Sequence, residues 1–369
     1  MNLFPDLDKR YSREQLSARE AQRQAQYIAF GPVIFQVARI MLKRGILDML
    51  RDSDNGLTIS QVAIKANLSE YAAKCLLEAS LSIGIVLVDP STDRFTLSKT
   101  GWFLINDAST RVNIDFNHDV NYLGWFNLEE SLLNGKPEGL KVFGQWPTVY
   151  EGLSQLPEQA QKSWFGFDHF YSDCSFDQAL KVVFADRPRT LLDVGGNTGR
   201  WALRCVDYDR DVRVTILDLP QQIAMMKANI AGRPGADRID GLSINLLDPQ
   251  AEMPAGRRFD AVWMSQFLDC FSPDEIVSIL RRAARVMDAG SRLYIMETLW
   301  DRQRYETAAL CLTLTSLYFT AIANGNSKMY HSDDLRRLVE EAGLKVDIIH
   351  DFLGWGHSIM VCSLADPQE

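Results

Sequence analysis

The sequence predicts an N-terminal all-α winged helix followed by a C-terminal α/β Rossmann-like domain, with a seven-stranded sheet whose last strand is antiparallel. Three observations carry this. Apolar residues recur at helical spacing up to about Asp107. Strand and helix patterns alternate from Arg189 onward. The last two strand-like runs, GLKVDIIHDF and HSIMVCSL, are linked only through LGWG. A parallel crossover needs a dozen or more residues, so these two strands run antiparallel.

The first segment, residues 1–107, divides into recognisable parts. AFGPVIFQVARIMLKRGILDML carries one long apolar helix around Val33–Leu50. TISQVAIKANLSEYAAKCLLEASLSIGIV reads as two further helices, and VLVDPSTDRFTLSKTGWFL as two strands around a PSTD turn. Helices followed by a two-stranded wing describe a winged helix-turn-helix. The recognition-helix position, SEYAAKCLLEASLSIG, offers Lys74 against Glu70 and Glu78, a poor match for a phosphate backbone. The other use of such a module is contact with a second copy through the apolar helix.

Residues 108–180 are connecting helices rich in aromatics: Tyr122, Trp125, Phe126, Trp146, Trp164, Phe165, Phe167, Phe170 and Tyr171. They are either core or the wall of a pocket for a flat apolar ligand. Residues 181–369 hold the strands TLLDVGG, RVTILDL, GLSINLL, FDAVWMSQ and SRLYIMET. GRWALRCVDYD, QQIAMMKANIAG and PDEIVSILRRAARVMD are the helical stretches between them.

Composition narrows the function. The 369 residues suffice for two domains, and 46% hydrophobic with 24% charged residues is ordinary for a soluble protein. A net charge of −9 disfavours a nucleic-acid surface. The six cysteines form no C-x-x-C pair, which argues against a zinc site or a disulfide framework and for a reduced, cytoplasmic protein. MNLFPDLDKRYSREQ is polar and mixed in charge, unlike a secretion signal. No apolar run is expected to reach the ~18–20 residues of a membrane span.

LLDVGGNTGRWAL is the strongest local signal. A buried strand ends in Asp193. Gly195 and Gly196 let the backbone approach a ligand, and Gly199 permits close helix–strand packing. Asp218, in ILDLP before Leu219, stands where a carboxylate takes ribose hydroxyls. A nicotinamide dinucleotide and S-adenosyl-L-methionine both use such a site. The dinucleotide fingerprint G-x-G-x-x-G fails here, because Asn197 and Arg200 occupy its second and third glycine positions. Asp193 and the antiparallel last strand favour S-adenosyl-L-methionine.

D-V-G-G-N-T-G, D-L-P, F-D-A-V-W-M-S and M-E-T together resemble the small-molecule O-methyltransferases of the plant caffeate and bacterial polyketide type. The resemblance covers almost the whole chain. It implies a winged-helix dimerisation domain, connecting helices and a class I methyltransferase domain. It also implies a homodimer in which one N-terminal domain closes the partner's pocket. The cofactor would be S-adenosyl-L-methionine, the by-product S-adenosyl-L-homocysteine, and no metal is needed. By the same resemblance Asp193, Gly195 and Gly199 line the methionine end and Asp218 holds the ribose. Asn245 and Leu246 fall where the family has an Asp-Met pair beside adenine. Ser265, followed by Gln266, falls where many members have lysine.

The family's catalytic histidine is replaced. Its L-H-D-W-S segment is matched by L-D-C-F-S, which puts Asp269 at the histidine's place. Of the two glutamates that hold the histidine, one is matched by Glu297; the other falls near Lys328–Met329, where there is no acid. A phenol titrates near ~10 and an aspartate near ~3.9, a gap of about six units for a base. Burial beside Glu297 narrows that gap. Asp269 either hydrogen-bonds an aromatic hydroxyl or merely caps the turn before Ser272, whose S-P-D-E run begins a helix. His169 is a substitute base or a packed core residue. Cys270 reads as a small apolar filler, and His331 as a cap with Ser332 and Asp333. Trp125, Phe170, Phe319, Asn324 and Met329 are expected to face the acceptor; for Asn324 a plain Gly-Asn turn is the alternative.

The expected reaction is methyl transfer to a small aromatic or polyene acceptor, on a hydroxyl oxygen or a ring carbon. W-M-S-Q-F-L-D-C-F is also similar to bacterial relatives in aryl-polyene-type pigment pathways, which suggests a hydroxyaryl group on an acyl-carrier protein. Two other classes compete: a protein that binds S-adenosyl-L-methionine without transferring methyl, and a winged-helix, ligand-responsive regulator.

Overall fold

The computed structural model describes residues 11–365, except Pro249, Ala255 and the side chain of Ser172. They form two compact units, one spanning Glu14–Val120 and the other running from Asn121 onward.

In the first unit, the expected helix around Val33–Leu50 is two helices, Gly31–Lys43 and Ile46–Arg51. Gly45 breaks them apart by adopting φ +67°, a backbone state that glycine alone enters freely. Met41, Ile46, Leu47 and Leu50 then turn inward together onto Val62, Leu77 and Phe95. The helix-turn-helix follows as Ile59–Ala66 and Glu70–Ser82. Thr58 and Gln61 form a capping box, left-handed Asn67 ends the first helix, and Ser69 caps the second. The wing pairs β1 (Val86–Asp89) antiparallel with β2 (Arg94–Leu97). On the second helix Lys74 pairs with Glu78 at 3.8 Å, so its charge is spent locally. Ile28, Phe30, Val33 and Ile40 remain exposed along the helices Ala18–Ala29 and Gly31–Lys43 and the residue that joins them.

The second unit is built on one sheet. Its strands are β3 (Thr190–Val194), β4 (Arg213–Asp218), β5 (Ile239–Ser243), β6 (Ala261–Ser265), β7 (Arg292–Glu297), β8 (Leu344–Leu353) and β9 (His357–Leu364). The order is β5-β4-β3-β6-β7-β9-β8. β3 to β7 pair in parallel, while β9 is antiparallel to both of its neighbours. The parallel strands are nearly continuous apolar runs because helices cover both faces. One apolar layer gathers Leu192, Met264, Ile279 and Ile295; the other gathers Trp201, Trp263, Tyr294 and Met296. The chain leaves β3 toward β4 on one side and β6 on the other. This is the switch point where open α/β sheets take ligands, beyond the carboxyl ends of the strands.

One expectation is corrected. The helical stretch Glu306–Ala323 is long and apolar enough to cross a membrane by length and composition, the only single helix among the described residues that is. It is an α-helix to Tyr318 and a π-turn from Phe319 to Ala323. Thr313, Thr315, Ser316 and Thr320 satisfy their hydroxyls on carbonyls one turn back, so the stretch is less polar than its hydroxyls suggest.

Candidate active site

The carboxyl ends of β3, β4, β6 and β7 bring the site together. Asp193 and Val194 close β3, and Gly195 enters the turn at φ +76°. A Cβ on Gly195 would lie 2.3 Å from the Phe267 ring, and one on Gly196 2.6 Å from Asp193 Oδ2. Only glycines leave this cradle open. Gly199, also left-handed, begins the helix Arg200–Tyr208 and packs on Met226 of the next helix.

Asp218 ends β4 and folds the turn onto itself. Its Oδ2 accepts the Asn197 N–H at 2.8 Å, and its Oδ1 the Leu219 N–H at 2.7 Å. Each carboxylate oxygen still has a free acceptor direction. Asp193 is 2% exposed, and burial beside Asp218 pushes it up to about 8. Its Oδ2, Asn197 Oδ1 and Gln266 Oε1 are buried acceptors with no hydrogen-bond donor. Buried acceptors are rarely left empty. S-adenosyl-L-methionine carries a donor for each kind of vacancy, an ammonium and two ribose hydroxyls, so these residues fit it.

The expected adenine pair divides. Asn245 is exposed and its Oδ1 accepts the Leu247 N–H at 3.0 Å, whereas Leu246 is packed in the core with Leu217 and Met264. Ser265 ends β6, opposite Met296, and Gln266 sits at φ +45° with its N–H on the Met296 carbonyl at 2.9 Å. A non-glycine residue in this region is strained, and such strain gathers at functional sites.

Asp269 lies in a 3-10 turn, Leu268–Cys270, and is 5% exposed. Ser272 caps the next helix in a capping box with Glu275, so the cap that Asp269 might have supplied is made by Ser272 itself. Burial pushes Asp269 up to about 7, with the charge of Asp168 adding to the rise and the Cys270 thiol, 3.5 Å from Oδ1, opposing it. Glu297, 3% exposed at the end of β7, accepts the N–H groups of Phe267 and Leu268 through Oε1, at 3.0 and 2.9 Å. Its Oε2 has no donor. Burial and then Asp269 raise Glu297 well above the ordinary carboxylate range. Asp269 and Glu297 therefore belong to one buried carboxyl pair.

His169 lies on the helix Glu158–Ser172 with its ring against Phe165. Burial lowers its pKa, so it is neutral at pH 7, and its buried Nε2 makes no hydrogen bond but lies 4.0 Å from Asp168 Oδ2. Its neighbour Asp168 escaped the sequence reading. Burial and Asp173 raise it to about 6, and its charge reaches Asp269. An acid inside the aromatic run FGFDHFYSD was the available signal. Trp164, one turn earlier, donates to the Tyr318 hydroxyl at 2.7 Å, and Tyr150 lies beside Cys270.

The expected acceptor residues are spread. Trp125 is half-buried with an unpartnered Nε1. Phe319 is buried against Tyr318, whereas Phe170 stacks on exposed Trp355. Met329 is buried, its N–H on Ser316 and its sulfur accepting from Thr298. Asn324 donates to the Cys270 carbonyl. His331 caps the helix Ser332–Glu341 by accepting the Asp333 N–H. Lys328, at the missing acid, reaches Asp334 at 3.8 Å. Among the described residues no three His, Cys, Asp or Glu side chains are grouped to hold a metal ion.

A seven-stranded sheet with an antiparallel last strand and a glycine cradle beside Asp218 defines an S-adenosyl-L-methionine-dependent methyltransferase. The chain belongs to the O-methyltransferase domain family, whose model matches residues 125–345. Residues 22–95 match a Dimerisation2-like domain. The L-tyrosine C(3)-methyltransferase of Streptomyces lavendulae is 23% identical over 348 residues, 91% of each chain. The solved structure of the S-adenosylmethionine-dependent methyltransferase SibL, 22% identical, superposes with a TM-score of 0.69 over 92% of this chain and 98% of that one. An O-methyltransferase from neocarzinostatin biosynthesis, solved with S-adenosylmethionine and 2-hydroxy-5-methyl naphthoic acid, is 18% identical. It superposes with a TM-score of 0.65 over 89% of this chain and 95% of that one.

Proposed function

We propose that the chain methylates the ring carbon beside the hydroxyl of a small hydroxyaryl acceptor, with Asp269 as the group that holds that hydroxyl. The observation that carries the reading is the buried Asp269 raised to about 7. When bound, S-adenosyl-L-methionine supplies an electrophilic methyl group for in-line displacement. Asp269, ionised, accepts the acceptor's hydroxyl hydrogen and raises electron density on the ring. With a phenol near ~10, the gap to its base falls to about three units. As the ring carbon takes the methyl group, Asp269 takes the hydroxyl proton. The ring proton then leaves to solvent and Asp269 returns its own proton to the oxygen, which restores the aromatic ring. The hydroxyls of Tyr150 and Tyr318 lie close enough to Asp269 to feel its charge.

The similarity to an L-tyrosine C(3)-methyltransferase over 91% of both chains supports carbon as the destination. The family's O-methyltransferase name supports oxygen as the second reading. A homodimer is part of the proposal, because the Dimerisation2-like unit exposes Ile28, Phe30, Val33 and Ile40. The six free cysteines suit a reduced cytoplasm. A carrier-bound aryl-polyene acceptor remains within this reading as one hydroxyaryl substrate among others.

The test is transfer of labelled methyl to L-tyrosine and to a panel of hydroxyaryl acids, with the labelled atom located by NMR. Asp269→Asn should lower turnover at least about tenfold while calorimetric affinity for S-adenosyl-L-homocysteine stays unchanged. Near-normal turnover in that variant would remove Asp269 from catalysis.

A further inference from the structure

The turn that carries Asp269 is held from three directions. Glu297 takes the N–H groups of Phe267 and Leu268. Asn324 Nδ2 donates to the Cys270 carbonyl, and the Tyr330 hydroxyl donates to the Phe271 carbonyl at 2.7 Å. Four backbone groups between Phe267 and Phe271 thus end on three side chains from distant parts of the chain.

The two donors are themselves fixed. Asn324 Oδ1 accepts the N–H of Asn326 at 3.2 Å, the N–H of Ser327 at 3.3 Å and the Ser327 hydroxyl at 3.0 Å. Gly325 follows at φ +89°, where a Cβ would come within 2.4 Å of the Lys136 backbone. Tyr330 is 4% exposed. Both donors reach the backbone of the turn rather than its carboxyl.

Resting on the role proposed for Asp269, we infer that Asn324 and Tyr330 are its positioning residues, acting through the backbone of its turn. The reason is the length of the side chain. An imidazole reaches far from its backbone, and a partner on its second nitrogen fixes its orientation. An aspartate carboxyl, joined to Cα by one methylene as the imidazole is, ends sooner, so once its backbone is fixed only χ1 and χ2 remain to place it. Holding the N–H groups before Asp269 and the carbonyls after it therefore fixes its backbone without an acid at Lys328–Met329. Left-handed Gln266, immediately before the turn, needs such restraint to persist.

Tyr330→Phe removes a single oxygen, and Asn324→Ala removes the other donor. Each leaves a carbonyl without its partner and loosens the turn. Cys270 reports this without any acceptor. Its iodoacetamide labelling, followed by peptide mass spectrometry, should quicken about tenfold in either variant, while the core thiols of Cys205 and Cys362 stay protected. Titration of 13C-labelled aspartate by NMR, with the Asp269 signal assigned from Asp269→Asn, should show that carboxyl falling toward the ordinary range. Affinity for S-adenosyl-L-homocysteine should stay within about twofold. An Asp269 titration that matches the wild type in both variants overturns the inference. Tyr330→Phe alone decides it where Asn324→Ala does not fold. Full turnover in Asp269→Asn is a separate failure: it removes Asp269 from catalysis while the restraint of the turn stands.

Discussion

Glu297 accepts the backbone N–H of Leu268 at 2.9 Å, and so anchors the chain one residue ahead of Asp269. The same carboxyl has a second oxygen, buried and without a hydrogen-bond partner, and burial followed by the Asp269 charge raises the group well above the ordinary carboxylate range. One side chain thus places the turn, while the charge of Asp269 helps to keep it protonated. The two can be separated, because glutamine keeps the acceptor oxygen and discards the titration.

The first prediction concerns pH. In the proposed mechanism Asp269 works only when ionised, and its carboxyl is held at about 7. Turnover should therefore rise with pH along a limb centred near that value. Burial and the Asp269 charge hold the proton on Glu297, so Glu297→Gln removes no charge across this limb and should leave it in place. The amide oxygen still accepts from Phe267 and Leu268, so the fold should persist. A limb lost or displaced in a folded Glu297→Gln protein would show that the limb belongs to Glu297 rather than to Asp269.

The local chemistry was legible in the sequence, and the long-range chemistry was not. The Ser272 cap, the glycine cradle, Asp218 at a strand end and the antiparallel β9 all follow from residues a few positions apart. The break at Gly45 was hidden because the apolar spacing runs on across it while the backbone reverses. Asp168 went unnoticed beside His169, since an acid within an aromatic helix looks like its solvent face until burial is known. The ties from Asn324 to Cys270 and from Tyr330 to Phe271 span more than fifty residues, and no spacing rule reaches that far. Lys328 shows the reverse: the missing acid was plain in the sequence, but how the turn is held without it was not.

A second prediction follows from Arg282. Its guanidinium is buried, and it donates to the carbonyls of Leu246, Asp248 and Ala251 at 2.6, 3.2 and 3.0 Å. The loop it ties follows β5, and Ile244 at its start donates to the Asp218 carbonyl at 2.8 Å. Arg282→Met should free that loop and leave three carbonyls short of a donor. Affinity for S-adenosyl-L-homocysteine should fall about tenfold by calorimetry, with melting temperature lowered by several degrees. Unchanged affinity with a lowered melting temperature would confine Arg282 to stability.

The third prediction sets the stability of the cofactor-free protein against pH. Asp193 is held up to about 8 and Asp269 to about 7, against ~3.9 for an unfolded aspartate. Between these values the folded chain keeps protons that the unfolded chain has released. Their contribution is thus full below about pH 4 and is lost as pH rises through about 7 and 8. Buried His357, lowered to about 4, acts in the opposite sense, but its effect is complete once pH exceeds ~6.5, the unfolded histidine value. The informative interval therefore runs from about pH 6.5 to about pH 8.5, where the melting temperature should fall by several degrees. Asp193→Asn abolishes the higher of the two titrations, so its melting temperature should fall less across that interval and exceed the wild type at the alkaline end. The same substitution removes the vacant Oδ2 acceptor that suits the cofactor's ammonium, and so should weaken S-adenosyl-L-homocysteine binding. Greater stability joined to weaker binding would place the strain of this fold at its cofactor site. A wild-type slope retained by the variant would mean that Asp193 is already ionised in the folded protein.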